Sequence, residues 1–234
     1  MKNIKQTKIE QVKRVFDDAF DKYDFMNDLM SLGIHRIWKN RLIDWMNPKK
    51  NDLLIDVASG TGDIAKSFLK RIQFEGEATC VEPNKLMFNY GKAKLQEYKK
   101  IKWYCSTAEK LPFKSEMFDL YSVSFGIRNF SNIDMSLKEA RRVLKNGGRI
   151  LCLEFSKVEN EMLNKIYKLY SKSIPHLGKY ITGKSEPYEY LVESIERFYD
   201  QEELLEIFKK NGFEKVEYRN LSGGIVAIHS GWKI

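Results

Sequence analysis

The sequence predicts an α/β fold built on a mostly parallel sheet, and three observations carry that expectation. Short apolar runs of strand length alternate with stretches whose apolar residues recur at helical spacing, which implies right-handed crossovers between parallel strands. The first such unit, "LLIDVASGTGDIAKSF" from Leu53 to Phe68, reaches an acid at Asp56 and breaks into a small-residue loop. It then resumes as a helix through Ile64, Ala65, Phe68, Leu69 and Ile72. At the far end, "EKVEYRN" and "GIVAIHSGWKI" are separated by "LSGG", short enough for a hairpin, so one of these two C-terminal strands should run antiparallel.

Taken in order, Ile9, Val12, Phe16 and Phe20 fall at helix-like spacing and lead into the aromatic-rich "YDFMNDLMSLGIHRIWK" from Tyr23 to Lys39. Residues 1–47 therefore read as an N-terminal helical cap over the site. After Pro48 come the strand-like runs "LLIDVA", "ATCVE" from Ala78, "IKWYC" from Ile101, "LYSVSF" from Leu120 and "RILCLEF" from Arg149. With the two C-terminal runs they make a seven-stranded, Rossmann-like sheet. The helix ahead of the fifth strand carries a stripe of Leu137, Ala140 and Leu144, and "KNGG" at Lys145 to Gly148 reads as its C-cap. Residues 157–198 read as a helical insertion, rich in Lys and Tyr, and Pro175, Gly178, Gly183 and Pro187 predict a mobile middle. A last helix runs from Gln201 to Asn211 and stops at Gly212. One domain is expected over 1–234.

The composition, 43% hydrophobic and 31% charged, is that of a soluble globular protein, and no apolar run approaches the ~20 residues that span a bilayer. Met1 to Glu10 has no apolar segment of the kind a signal peptide needs, so a cytoplasmic setting is expected. Cys80, Cys105 and Cys152 each sit in an apolar strand-like run at spacings that match no metal or disulfide framework, and read as reduced core residues. Lys+Arg 40 against Asp+Glu 32, a net +8, points to an anionic partner, either nucleic acid or an acidic membrane face.

A glycine-cornered loop after the first strand lets backbone approach a ligand and aims helix N-terminal amides at it, so a nucleotide-like ligand is expected. A triphosphate loop needs Lys-Ser/Thr after its last glycine, but Asp63 follows Gly62 and would repel phosphate. A dinucleotide fingerprint needs a third glycine, and only Gly60-Thr61-Gly62 is present. S-adenosylmethionine fits better, because Asp56 and Asp63 complement its cationic groups. Glu82 closes the second strand where a Rossmann-like unit places a ribose-binding carboxylate. The Thr107 hydroxyl and Ala108 amide, after the third strand, are set to read an adenine edge, and Ser124 ends the fourth strand under the methionine moiety.

These pieces resemble the class I methyltransferases and, within them, the ubiquinone/menaquinone biosynthesis C-methyltransferase family. The resemblance covers nearly the whole chain and includes "KYDFMNDLMSLGIHRIWK", "AEKLPF", "FGIRNF", "EARRVLKNGGR", "LCLEFS", "YLVESI" and "GIVAIHSGWKI". It implies methyl transfer from S-adenosylmethionine to a ring carbon of a polyprenylated benzoquinol or demethylmenaquinol, with cofactor contacts at Thr61, Glu82, Thr107, Ala108 and Ser124. This chain departs from the family in having Ser59 where Gly is usual, Glu82 where Asp is usual, and Thr107 where Asp or Asn is usual.

Carbon methylation requires a ring carbon made nucleophilic by loss of a neighbouring hydroxyl proton, so the enzyme must orient the ring, exclude water and stabilise a phenolate. No metal is required. "FGIRNF" follows the fourth strand and brings Arg128 and Asn129 beside the methyl donor. Arg128 stabilises the phenolate in this reading, since guanidinium stays protonated and is a poor base. Asn129 orients one ring oxygen and Tyr23 of the cap the other. His35 is a candidate proton acceptor, although one histidine in a cap helix is more often a packing residue. Met26, Met30, Trp38 and Trp45 read as packing.

The expected partners are the polyprenylated quinol and an anionic membrane surface, met peripherally at the inner membrane face, with a homodimer or a quinone-synthesis complex as further assemblies. The lysines Lys165, Lys168, Lys172, Lys179 and Lys184, interleaved with Tyr167, Tyr170 and Tyr180, are the expected docking face. Two alternatives stay open at this point: an RNA methyltransferase, which the charge favours, and a non-catalytic scaffold. Against the first, the fourth strand lacks the Asn/Asp-Pro-Pro-aromatic turn of base-amine methylases and no cysteine sits there, so nucleic acid is not an expected partner.

Overall fold

Leu54, Ile55 and Val57 are wholly buried, because the strand they form, β1 (Leu53–Val57), has neighbours on both edges and helices over both faces. The computed structural model describes residues 31–234 together with Glu10, Asp17, Asp28 and Leu29. Strand β1 pairs in parallel with β2 (Glu77–Val81) and with β4 (Phe118–Ser124). Further out lie β3 (Ile101–Tyr104) beside β2 and β5 (Leu144–Phe155) beside β4, again parallel. The hairpin of β6 (Glu214–Leu221) and β7 (Val226–Trp232) completes the order β3-β2-β1-β4-β5-β7-β6. It is β7 that runs antiparallel, to both β5 and β6, as the short "LSGG" connection requires.

The strand order reverses between β1 and its neighbours β2 and β4, so the chain leaves their carboxyl ends toward opposite faces and opens a crevice there. Helices α1 (His35–Met46) and α2 (Asp63–Arg71) cover one face, where Trp38, Leu42, Phe68 and Leu69 meet Leu151, Leu153 and Ile228. Helices α4 (Ile133–Val143) and α7 (Gln201–Lys210) cover the other, where Leu137, Ala140 and Phe208 meet Ile55, Val57 and Tyr121. Helix α3 (Lys85–Lys94) joins β2 to β3. Each of α3, α4 and α7 starts at a side-chain cap, Asn84, Asn132 and Asp200 respectively, which satisfies the first free amides. Trp38 and Trp45 are core residues, as expected; Met26 and Met30 lie outside the described residues.

Three local expectations are corrected. Helix α4 ends at Val143, and Leu144 already pairs with Phe118, so "KNGG" belongs to the start of β5 rather than to a helix cap. The middle of the insertion is a continuous helix, α5 (Glu161–Thr182), followed by α6 (Glu186–Glu196). Pro175 lies inside α5, and the helix stops only at Gly183, whose φ of 78° is the left-handed cap conformation. Gly178 marks a close approach and not a break: a Cβ there would stand 2.3 Å from the Tyr188 ring of α6. Of the cysteines, Cys80 and Cys152 are buried, but Cys105 lies one residue past β3 and is exposed.

Candidate active site

The loop leaving β1 turns through left-handed conformations at Ala58 (φ 52°), Gly60 (φ 55°) and Gly62 (φ 83°) before entering α2. Gly62 is required twice over, by its φ and because a Cβ would come 2.7 Å from Leu95 and 3.0 Å from Trp103. Glu82, directly after β2, is buried and holds this loop in place. Its Oε2 accepts from the Gly60 N–H and its Oε1 from the Asn84 N–H, both at 2.9 Å. Burial pushes the Glu82 carboxyl up to about 7, against the pull of those two backbone donors.

Asp56 sits inside β1 at 1% exposure, where its Oδ1 accepts from Ser122 Oγ at 2.7 Å. Its Oδ2 is buried without a hydrogen-bond partner among the described residues, and so are the hydroxyls of Ser59 and Ser124. Burial above all, with the charges of Asp63 and Glu82 adding to it, raises Asp56 to about 7 although Ser122 and Lys39 oppose the shift. Asp63 behaves in the opposite way. Burial would raise it, but Lys39 at 2.9 Å and Lys94 at 3.6 Å outweigh burial and hold it at about 2. Asp56, Ser59, Thr61, Asp63, Ser124 and Lys39 line one crevice at the switch point.

A crevice with three nearby carboxylates and three buried, unpaired acceptors disfavours phosphate and suits a cation that also carries hydroxyls. S-adenosylmethionine has that character: a sulfonium and an ammonium at one end, ribose hydroxyls at the other. The adenine positions from the sequence lie just past β3, with Thr107 exposed and the Ala108 side chain buried.

β4 delivers the second half of the site. Phe125, next after Ser124, has φ 57°, and Gly126 packs so closely on the first loop that a Cβ would lie 2.6 Å from the Ala58 Cβ. A short turn, Ile127–Asn129, follows. Arg128 Nη1 donates to Glu154 Oε1 at 2.6 Å and to the Phe125 carbonyl at 2.7 Å, and its Nε lies 3.4 Å from Ser194 Oγ of α6. The pair is deeply buried, at 6% and 1% side-chain exposure, and burial keeps Glu154 above its ordinary range despite Arg128. Asn129 Oδ1 accepts from Tyr190 Oη of α6 at 2.9 Å. Helix α6 thus covers the turn that carries both residues.

Tyr23 lies outside the described residues. His35 is a packed histidine: its Nδ1 is 2.9 Å from Ser31 Oγ, and burial lowers its pKa. His176 is exposed on α5, and His229 is buried with Nε2 2.8 Å from the Gln201 carbonyl; neither lines the crevice. Sequence reasoning missed Lys39, Glu154, Tyr190 and Ser194. The available signal for Glu154 was an acid near the end of the otherwise apolar "RILCLEF".

A Rossmann-like sheet with a carboxylate-lined crevice at its switch point defines a class, the S-adenosylmethionine-dependent methyltransferases. Solved structures agree on the fold: a methyltransferase of Thermotoga maritima described as a possible histamine N-methyltransferase aligns with a TM-score of 0.65 at 20% identity, covering 95% of this chain and 99% of that one. A Haloferax volcanii methyltransferase complexed with the activator Trm112 aligns at 0.68 and 14% identity, over 93% and 97%. The ubiE/COQ5 methyltransferase family matches residues 1–233, and the chain belongs to that family. Among its relatives, the ubiquinone/menaquinone biosynthesis C-methyltransferase UbiE of Ruegeria is 47% identical over 97% of this chain and 92% of its own length. That of Rickettsia akari is 49% identical over 95% and 92%. The mitochondrial 2-methoxy-6-polyprenyl-1,4-benzoquinol methylase of Gallus gallus is 44% identical over 96% and 85%.

Proposed function

We propose that this chain methylates a ring carbon of a polyprenylated benzoquinol, and of demethylmenaquinol, at the surface of an anionic membrane. The observation that carries the reading is the full-length family match to enzymes named for that reaction in both bacteria and mitochondria. The relatives are quinone methyltransferases, which leaves the RNA-methyltransferase and scaffold readings without support. S-adenosylmethionine, when bound, supplies an electrophilic methyl group on sulfur.

The chain's own residues then have separable tasks. Glu82 accepts from the ribose hydroxyls through the lone pairs its backbone donors leave free. Asp56, Ser59 and Ser124 hold the methionine end, where their unpaired oxygens supply acceptors. Thr107 and Ala108 meet adenine. The Arg128 guanidinium, held by Glu154, stabilises negative charge on the ring oxygen next to the attacking carbon. Asn129, held by Tyr190, offers its amide N–H to a ring oxygen. The reduced ring is the nucleophile: its hydroxyl loses a proton, the new carbon–carbon bond forms as the methyl leaves sulfur, and the ring carbon then releases its hydrogen as a proton. Deleting the gene should make a ring-demethylated quinone precursor accumulate, and a normal quinone profile in the deletion strain would overturn the reading.

The membrane contact is supported by α5. Lys165, Lys168, Lys172, Lys179 and Lys184 are all exposed on or just after this helix. Alongside them Met162 (74%), Ile166 (56%), Leu169 (75%) and Tyr180 (91%) face solvent, an amphipathic pattern of the kind that lies in a lipid interface. Among the described residues no helix is long and apolar enough to cross a membrane. Each lysine near anionic lipid adds about 1 kcal/mol, screened by salt. The protein should therefore co-sediment with anionic but not zwitterionic vesicles at low salt, and exchange of the five lysines for glutamine should weaken it. Equal sedimentation with both lipids would remove α5 as the docking face.

A further inference from the structure

A cavity of about 450 Å³ is bounded by the chain leaving β5, from Ser156 to Val158, and by helices α5 and α6. Its walls include Val158, Val192 and Ile195, with Tyr167 and Ser171 projecting from α5. The volume lies in the range of pockets that take a substituted ring, and its surface is mostly apolar, although Ser156, Lys157, Asn164 and Glu196 line it as well. Tyr167 Oη and Ser171 Oγ are both buried, one turn apart on α5, and neither has a hydrogen-bond partner outside this pair among the described residues. Buried hydroxyls in proteins are nearly always fully partnered, so two adjacent hydroxyls in one cavity with no partner beyond each other point to a ligand that completes them.

The cavity and the reacting end of the site share helix α6. Helix α6 sends Ser194 to Arg128 and Tyr190 to Asn129, while Val192 and Ile195 of the same helix line the cavity. Tyr167 is near enough to feel the charges of both Arg128 and Glu154. At the other end, exposed Lys168 and Lys172 border the cavity on the helix that carries the exposed apolar residues Ile166 and Leu169. A ring bound inside would thus have its reactive edge toward Arg128 and its tail toward the lipid-facing side of α5.

We propose that this cavity binds the prenylated quinol ring, with the Tyr167 hydroxyl donating a hydrogen bond to a ring oxygen and Ser171 completing the contact. The assignment rests on the quinol-methylation reading and adds its substrate pocket. Burial raises the Tyr167 phenol to about 12, so at neutral pH it is a neutral donor that can bond either a ring hydroxyl or its anion. Tyr167 takes no proton in this scheme and changes no bond; it fixes the ring against the Arg128 side.

The test uses the full chain, a benzoquinol carrying a short isoprenoid tail, and its oxidised quinone as a ligand that cannot react. Binding of the quinone is measured by equilibrium dialysis, and kcat and KM for the quinol by product formation. Tyr167→Phe should weaken quinone binding and lower kcat/KM for the quinol about tenfold, the loss of one well-made hydrogen bond. Val192→Trp, which fills the cavity, should abolish both. Affinity for S-adenosylmethionine should stay unchanged in each, which also reports that the variants are folded. If the natural chain methylates the quinol and both variants behave like it, the cavity is not the substrate pocket while the reaction stands. If the chain binds the quinone in a Val192-dependent way yet transfers no methyl, the pocket stands and the reaction reading fails. Absence of both binding and turnover overturns both.

Discussion

Replacing Asp56 with Asn tests whether the crevice holds its carboxylates at the expense of the fold. Asp56 is fully buried, and its pKa moves from 3.8 to about 7. At about 1.4 kcal/mol for each tenfold change, that displacement corresponds to about 4 kcal/mol of stability lost once the group must ionise. The sign follows from proton counting. The folded chain binds this proton more tightly than the unfolded chain, so the contribution of Asp56 to stability falls as pH rises between about 4 and 7 and is fully lost above that. Asn never ionises and keeps an oxygen to accept from Ser122, but it buries an amide whose N–H groups lack a partner, at about 1–3 kcal/mol. Without cofactor, Asp56→Asn should therefore be more stable than the natural chain by about 1–3 kcal/mol at pH 8 and less stable by a similar amount at pH 4. Urea unfolding followed by tryptophan fluorescence suits the question, because Trp38 and Trp45 report from the core. The two stability curves should cross at about pH 5–6, where the part of the Asp56 contribution already lost equals the cost of burying the amide. Curves that stay parallel across the range would refute the claim that burial raises the Asp56 carboxyl to about 7.

Two further substitutions probe the cofactor and ring sides separately. Glu82→Ala should weaken S-adenosylmethionine by about 2 kcal/mol in calorimetric titration, through loss of charge-assisted bonds and of the anchor on Gly60; unchanged affinity in a folded variant would remove Glu82 from the site. Arg128→Met strands Glu154 as a buried lone acid, which should lower stability by about 3 kcal/mol, and should lower kcat by about 10² with cofactor affinity intact. Adding Glu154→Gln should restore much of the stability but not kcat, and recovery of both together would make Arg128 a purely structural partner.

Much of this architecture is legible in the residues themselves. Strands buried on both faces must be continuous apolar runs, so "LLIDV" and "LCLEF" announce themselves, and the acids at their ends stand out because nothing apolar explains them. The loop glycines are legible for a similar reason, since only an unusual φ or a close approach calls for them there. Helix α5 is the opposite case. Pro175 and Gly178 are local stop signals, yet packing of Gly178 on Tyr188 carries the helix through them, and that contact joins two helices. The Arg128–Glu154 pair is hidden for a related reason: its members are on different elements and meet only because β4 and β5 are neighbours in the sheet. Lys39 shows the same limit, being one of many lysines until α1 packs it against Asp63.

The central claim is carbon methylation of a reduced ring, and one reaction tests it most directly. The purified chain is supplied with methyl-labelled S-adenosylmethionine and a short-tailed 2-methoxy-6-polyprenyl-1,4-benzoquinol, the substrate type named for the Gallus gallus relative, kept reduced in one sample and oxidised in the other. NMR of the extracted product should show the label as a methyl group on ring carbon in the reduced sample and no transfer in the oxidised one. Label on oxygen, equal transfer to the oxidised quinone, or none to the quinol in the presence of bound cofactor would contradict the account.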